Sequence, residues 1–271
     1  MTVDDPSRPA TRADYAVSAE FYDLLQAEDD RRLAERRFAE AAGRARVGVV
    51  DAGAGTGIVT EVLVGAASAP VHAIEPSPAM RTALLARMAR LGADRRARVT
   101  VHPQSVDGCG LRDAADLVVA SNVVACLEPA TRRATWRALA AALVPGGLLL
   151  FDPPPTRVPA EEGSRLLPPV RLGPDLYGAR LTLTPDRALV VARYDYRVER
   201  DGVVVREEEE SFRMWPATSA VLEEELAAAG LTVVDPPHAD LVAARRRGPR
   251  AASVRVRRGS QPDSAGSTPS R

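Results

Sequence analysis

Residues 51–57 read Asp51-Ala52-Gly53-Ala54-Gly55-Thr56-Gly57, between the apolar run Val47-Gly48-Val49-Val50 and a segment with helical spacing over 58–66. An apolar run without polar alternation is the pattern of a parallel strand buried on both faces. Glycines between such a strand and a helix let the backbone turn tightly and approach a ligand where any Cβ would collide. The next apolar run, Val71-His72-Ala73-Ile74, ends at Glu75. A carboxylate there can accept bonds from both hydroxyls of a ribose, so loop and acid together predict a nucleoside pocket at a switch point of the sheet.

The unit repeats outward from this stretch. Pro76-Ser77-Pro78 opens a helix over roughly 80–91, with proline favourable in a first turn. Strands are expected at Val99-Thr100-Val101 and over 116–120, then a helix over about 130–143, which Pro145-Gly146-Gly147 ends before a fifth strand over 148–152. Strands alternating with helices in this way predict an open, doubly wound α/β sheet. Upstream, Phe21, Leu24, Leu25, Leu33, Phe38 and Ala41 among charges predict one or two amphipathic helices over 18–43. Downstream, 153–174 reads as proline-rich connection, followed by antiparallel strands over 179–184, 188–198 and 203–214; Asp201-Gly202 is a two-residue hairpin signal. A helix over 218–229 stops at Gly230, and strands over 231–234 and 241–244 follow. The expected division is an N-terminal helical cap (1–44), an α/β core (45–152), an antiparallel extension (153–216), a helix and strands completing the core (217–247) and a disordered basic tail (248–271).

Composition narrows the chemistry. The chain has 271 residues, and its 36 basic side chains are all arginine, which excludes lysine Schiff bases and a P-loop lysine. Equal numbers of acids and bases conceal an asymmetry: residues 245–271 carry +7 and the rest −7. An acidic body does not suit polynucleotide binding, so no nucleic-acid partner is expected. Two cysteines, Cys109 and Cys126, and three scattered histidines give neither a disulfide framework nor metal spacing, so no metal is expected. No run of about 18 apolar residues and no leader is evident, so no membrane partner is expected and the cytoplasm is the anticipated compartment. Wholesale arginine with abundant Ala, Gly and Pro suggests a GC-rich genome such as an actinobacterium's.

Two nucleoside ligands compete for the glycine loop. A dinucleotide fingerprint, G-x-G-x-x-G, would need glycine where Ile58 stands. Instead the glycines alternate at 53, 55 and 57 behind Asp51, and this resembles the first motif of the class I S-adenosylmethionine-dependent methyltransferases. The likeness continues: Glu75-Pro76-Ser77-Pro78-Ala79-Met80 is similar to the family's acidic ribose motif, Asp116 to Asn122 to its fourth-strand motif, and Leu143 to Leu148 to the segment before its fifth strand. Tyr15 and Tyr22-Asp23 resemble the tyrosine segment that caps cofactor and substrate in small-molecule members.

The resemblance implies a seven-stranded Rossmann-like methyltransferase sheet and S-adenosylmethionine as cofactor. Asp51, Gly53, Ala54, Gly55 and Gly57 would then line the methionine part, Glu75 with Pro76 the ribose, and Met80 the adenine, although Met80 also reads as an ordinary core position. Ser121 and Asn122 would lie beside the sulfonium, with Asn122 equally readable as a helix cap. Tyr15 and Tyr22 would close over the site. The chain departs from the family at Gln104-Ser105, where Gly-Asp is common, so that either the Ser105 hydroxyl takes the adenine contact or the contact is missing, with Val106 also counted among the cofactor residues, and at Ala125-Cys126, where histidines often stand.

Methyl transfer from a sulfonium asks chiefly for alignment, which can lower a barrier by roughly 7–11 kcal/mol, so the lack of an evident base is no objection. His102 and His238 read as structural and solvated, and Cys126 as a buried small side chain. Tyr194 and Tyr196 share one strand face and could wall an acceptor pocket, or pack the extension on the main sheet. Arg213 and Trp215 form a second candidate lining. The acid run Glu207 to Glu210 is a solvated edge or a lure for a cationic amine. The expected activity is methylation of a small molecule at nitrogen or oxygen. A nicotinamide-dependent oxidoreductase and a non-catalytic nucleoside-binding module remain as alternatives; oligomeric state is not readable.

Overall fold

The structure, a computed structural model, describes residues 15–248; the predicted tail and residues 1–14 lie outside them. A seven-stranded sheet forms the core, with the first five strands parallel in spatial order β5, β4, β1, β2, β3. These are β1 (Val49–Ala52), β2 (Val71–Ile74), β3 (Val99–His102), β4 (Ala115–Ala120) and β5 (Leu143–Phe151). The expected doubly wound fold is present. Every residue of β1 is buried, as its unalternating sequence requires.

Helices cover both faces. On one side α1 (Ser18–Arg44) and α2 (Ile58–Ala66) place Phe38, Ala42, Leu63 and Val64 against Val49, Val71, Leu117 and Val119. On that side too, α3 (Pro78–Ala89) sets Leu84 and Met88 against Ala73, and α4 (Ala93–Arg96) adds one turn. On the other side α5 (Pro129–Ala142) sets Trp136 and Leu139 against Val50, Val118 and Leu149. A second, five-stranded antiparallel sheet comprises β6 (Gly163–Leu166), β7 (Val170–Leu172), β8 (Asp175–Asp186), β9 (Leu189–Arg200) and β10 (Val203–Met214). After it, α6 (Ser219–Ala228) leads to β11 (Leu231–Val234) and β12 (Val242–Arg246), which complete the main sheet, β12 running antiparallel to both β5 and the edge strand β11.

Several local expectations need correction. The proline-rich 153–174 is not all connection, because β6 and β7 lie within it. Neither strand has a fully buried residue, so no apolar alternation marks them; backbone pairing with β8 holds both, with Val170 packing against the cluster between the second sheet and α1. Pro145-Gly146-Gly147 does not end α5, which stops at Ala142. Buried Leu143 already pairs with Ala115, and the Pro-Gly-Gly forms a bulge inside β5, with Gly146 at φ +81°. The N-terminal region is one helix, where one or two were anticipated. Arg245 and Arg246 belong to β12 and bond to the carbonyls of Gly146 and Leu143, so part of the basic C-terminal charge closes the sheet. The Asp201-Gly202 hairpin forms as expected, with φ +51° and +78°. Among the described residues no helix is long and apolar enough to cross a membrane.

The helical layer over β5 contains a polar bond that periodicity does not reveal. Arg132 of α5, 1% exposed, donates two hydrogen bonds of 2.8 and 3.0 Å to the Glu225 carboxylate of α6, and Trp136 Nε1 donates a third at 3.1 Å. Burial opposes the charge on Glu225, but the bonds from Arg132 and Trp136 outweigh it and hold the carboxyl below its ordinary value. The stabilisation is therefore in place above the ordinary carboxylate range and is lost as pH falls through the lowered value. Glu225→Ala, which strands a buried guanidinium, should lower unfolding free energy by about 3–5 kcal/mol in urea titrations. A loss under about 1 kcal/mol, the scale of an exposed pair, would contradict this account.

Candidate active site

The order of strands reverses between β1 and β4, and the loops leaving their carboxyl ends frame a crevice where α/β sheets bind ligands. Gly53, Gly55 and Gly57 all have positive φ, at +75°, +56° and +86°. A Cβ at Gly53 would lie 2.3 Å from Val123 Cγ2, and one at Gly57 2.5 Å from Leu84 Cδ1. These two glycines let the β4 loop and α3 close on the turn. Gly55 is different: a Cβ there would meet nothing within 4 Å, so its backbone faces open space.

Glu75 stands opposite. Its Oε2 accepts the Gly55 N–H at 2.7 Å and its Oε1 the Ser77 N–H at 2.7 Å, while Arg81 donates to the Glu75 carbonyl at 2.8 Å. At 6% exposure it is no solvated strand-end acid. Burial pushes its carboxyl up and the two N–H bonds pull it back, leaving it raised. Each oxygen keeps a second acceptor direction, the capacity that two ribose hydroxyls need. Asp51 is deeper, 1% exposed, and accepts from Thr60 Oγ1 at 2.6 Å; burial, against the Thr60 bond and with Glu75 nearby, pushes it up to about 7. Thr56 Oγ1 in the same loop is buried without a partner among the described residues.

The other predicted cofactor residues fall around this crevice to different degrees. Ala54 is buried in the turn, its N–H bonded to the Ile74 carbonyl at 2.9 Å. Pro76 is exposed and Met80 is buried in the first turn of α3, where its N–H bonds to Ser77 Oγ at 3.4 Å. Ser105 is exposed on the loop after β3, whereas Val106 packs against the core. Ser121 is half-buried at the end of β4. Asn122 does not cap a helix: it has φ +58°, its N–H bonds to Asp152 Oδ2 at 2.9 Å, and the one-turn helix Val124–Cys126 begins beyond it without a side-chain cap.

Helix α1 roofs the crevice. Tyr22 Oη donates to Asp30 Oδ2 at 2.8 Å and also meets the Asn122 side chain. Burial, together with Asp30, raises the Tyr22 phenol well above its ordinary value. One helical repeat further, Arg37 bonds Asp152 Oδ1 at 2.6 Å and Asp240 Oδ2 at 2.9 Å. Asp23 pairs with Arg87, whose guanidinium also donates to the Thr56 carbonyl of the glycine loop and to Glu61 of α2, each at 3.0 Å. Tyr15 stacks on Phe212, centroids 4.6 Å apart, and bonds to Cys126, whose thiol burial pushes up.

The proposed acceptor residues separate. Tyr196 is 2% exposed, stacks on Phe21 at 4.4 Å and donates to Ser18 Oγ at 2.8 Å. It joins the second sheet to α1, and not to the main sheet as anticipated. Tyr194 is half-buried with its ring edge on Phe212, and its hydroxyl lies near Asp30 and Cys126. Arg213 and Trp215 are half-buried; the Trp215 N–H bonds to the Ala125 carbonyl at 2.8 Å. The acid run divides: Glu210 accepts the Ser18 N–H at 2.7 Å and Glu208 pairs with Arg206, while Glu207 and Glu209 are exposed. His72 Nδ1 and His102 Nε2 are 3.1 Å apart on β2 and β3, both lowered by burial. His238 is not simply solvated, because Nδ1 lies 2.7 Å from Asp240 Oδ1. No group of three or more metal-ligating side chains occurs among the described residues.

Sequence reading missed Asp30, Arg37, Arg87, Asp152 and Asp240. The spacing of Asp30 and Arg37, two helical turns apart, was the one available signal; their partners on β5 and near β12 are invisible without the fold.

Comparison with known proteins agrees with this geometry. Residues 50–149 match a family model described as a methyltransferase domain. No curated protein matches the sequence. Among solved structures the chain is similar to CalS10, an amino pentose methyltransferase of Micromonospora echinaspora with S-adenosylmethionine bound: 21% identity over 90% of this chain and 100% of that one, TM-score 0.63. It is also similar to the sugar N-methyltransferase KedS8 of Streptoalloteichus, 22% identical over 92% and 99%, TM-score 0.63. CcbJ, a methyltransferase of Streptomyces caelestis, is 19% identical over 85% and 96%, TM-score 0.65. At these identities the likeness establishes the shared fold.

The open cradle at Gly55, the ribose-ready Glu75 and the glycine turn fit S-adenosylmethionine. Glu75→Ala should weaken S-adenosylhomocysteine binding by at least ~1 kcal/mol in calorimetric titration, the lower range for lost charge-assisted bonds. Unchanged affinity would remove Glu75 from the site.

Proposed function

We propose that this chain, with its methyltransferase domain at residues 50–149, transfers a methyl group from S-adenosylmethionine to a nitrogen of a small molecule that carries an amino group. The observation that carries the reading is the pairing of an open glycine cradle with a buried carboxylate across the switch point. Gly53, Gly55, Gly57 and Glu75 would hold the cofactor, with Met80 and Val106 on the adenine side and Ser121 and Asn122 toward the sulfonium. When bound, the cofactor supplies an electrophilic methyl on a positively charged sulfur.

The residues of this chain then have three tasks. The turn and Glu75 fix the donor in place. Tyr15, in the turn before α1, and Tyr22 with the rest of α1 cover it and exclude water, which strengthens every charge interaction inside. Asn122, anchored through its N–H to Asp152, orients the floor on which the acceptor would lie. Alignment of this kind supplies most of what a displacement needs.

Nitrogen is favoured over oxygen by what faces the crevice. Asp30 is a carboxylate without an ion-pair partner among the described residues, and the Cys126 thiol and Tyr22 and Tyr194 phenols are all pushed away from ionising. Such a surface suits a cationic amine and offers no neutral imidazole to activate a hydroxyl. The amino-sugar activities of the structural relatives support the same choice. The two free cysteines suit a reducing cytosol.

A labelled-methyl screen over amines, phenols and carboxylic acids should give incorporation into amines, most of all amino sugars. Incorporation confined to phenols would overturn the nitrogen assignment, and NAD binding without S-adenosylhomocysteine binding would overturn the cofactor.

A further inference from the structure

We infer that Asp30, held by Tyr22 beneath α1, is the group that binds the acceptor's ammonium and takes its proton before methyl transfer, a residue role that rests on the function proposed above. Hydrogen bonds tie the carboxylate, through Tyr22, to the β4 loop at the carboxyl end of the sheet. Its Oδ2 receives the Tyr22 hydroxyl at 2.8 Å, and that hydroxyl also meets the Asn122 side chain at the carboxyl end of β4. Asp152, at the end of β5, is close enough to raise the Asp30 carboxyl and shares Asn122 through the N–H at 2.9 Å. Burial raises the Tyr194 phenol of β9, the Arg165 charge lowers it and the Asp30 charge raises it further.

The charges around Asp30 make it the available carboxylate. Arg37 already binds Asp152 and Asp240, at 2.6 and 2.9 Å, so Asp152 is neutralised by a guanidinium. Asp30 accepts the Tyr22 phenol at 2.8 Å and, among the described residues, makes no ion pair. Its neighbours are Asp29 and Arg37 on α1, Asp152 on β5, and Tyr22 and Tyr194; burial raises its carboxyl, the Tyr22 bond lowers it, Asp29 and Asp152 raise it further and Arg37 lowers it. A carboxyl raised toward the working pH is a better proton acceptor than an ordinary one.

The step balances without any further reactant. The acceptor enters as R–NH3+ beside the Asp30 carboxylate, and one N–H proton moves to an Asp30 oxygen. The freed nitrogen lone pair forms the N–CH3 bond, the S–C bond breaks, and its electron pair stays on sulfur, which becomes neutral. The product leaves as R–NH2+–CH3, and Asp30 returns its proton to solvent.

Asp30→Asn, which is nearly isosteric, and Tyr22→Phe test this, with a panel of amino-pentoses, amino-hexoses and simple alkylamines as probes. For the wild type, kcat/KM should be bell-shaped, with its acid limb at the Asp30 carboxyl and its alkaline limb at the amine's own pKa. In Asp30→Asn the acid limb should move up to the amine's pKa, with a loss of about 100-fold or more below it, the usual scale of acid–base catalysis, and recovery above it. S-adenosylhomocysteine affinity should stay within about threefold, since Asp30 bonds to no residue of the glycine turn. Tyr22→Phe removes the bond that lowers Asp30, so its acid limb should shift to higher pH. An unmoved acid limb in Asp30→Asn, or a loss that alkaline pH does not restore, overturns the assignment. So does a wild type that binds S-adenosylhomocysteine but methylates none of the amines. A wild type that binds no S-adenosylhomocysteine instead overturns the cofactor reading beneath it.

Discussion

The structure depends on one helix being buried at both ends in different cores. Phe21 and Leu25 of α1 pack among Ala179, Leu181, Ala192 and Tyr196 of the second sheet, while Ala34, Phe38 and Ala42 pack on the main sheet with α2. From Phe21 to Phe38 the helix rises about 26 Å at 1.5 Å per residue, enough to bridge the carboxyl end of the sheet. The stretch between these anchors cannot drift far without exposing one phenylalanine or the other, each worth roughly 1.5–3 kcal/mol of burial. That stretch carries Tyr22, Asp23, Asp30 and Arg37. The roof of the site is thus located by hydrophobic packing on either side of it.

Polar bonds then set the roof's register against the floor. Arg87, 13% exposed at its side chain, joins Asp23 of α1 to the Thr56 carbonyl of the glycine turn and to Glu61 of α2. Arg37 performs the matching task at the other end through Asp152, which in turn holds the Asn122 N–H. Partly buried arginines with several acceptors are worth more than surface pairs because less water competes for them. Arginine suits both positions because its planar fork serves acceptors on separate elements at once, which a lysine ammonium does less well.

What was legible in the sequence follows the range of the interactions. The β1 turn and Glu75 are local: alternate glycines, an acid at the next strand's tip and the run of apolar residues between them sit within 25 positions, Asp51 to Glu75, and all the constraints act along the chain. The Asp201-Gly202 hairpin was equally local. By contrast Asp30 and Asp152 are 122 positions apart, and nothing in either neighbourhood announces the other. Strands β6 and β7 escaped notice because no residue of either is fully buried. Tyr194 and Tyr196 were correctly placed on one face, but periodicity could not say that one packs under Phe21 while the other reaches Asp30. In the acid run at Glu207 to Glu210, charge alone does not reveal that Glu210 is committed to the first turn of α1.

The central claim is that the crevice between β1 and β4 holds a methyl donor under α1, with its reactive end toward Asn122 and Asp30. A crystal structure of the chain with S-adenosylhomocysteine tests it most directly. The account predicts both ribose hydroxyls on the Glu75 carboxylate, the homocysteine chain over Gly55, and the sulfur facing the space bounded by Tyr22, Asn122 and Asp30. Density for the ligand elsewhere, or in the crevice with its sulfur turned away from α1, would contradict it.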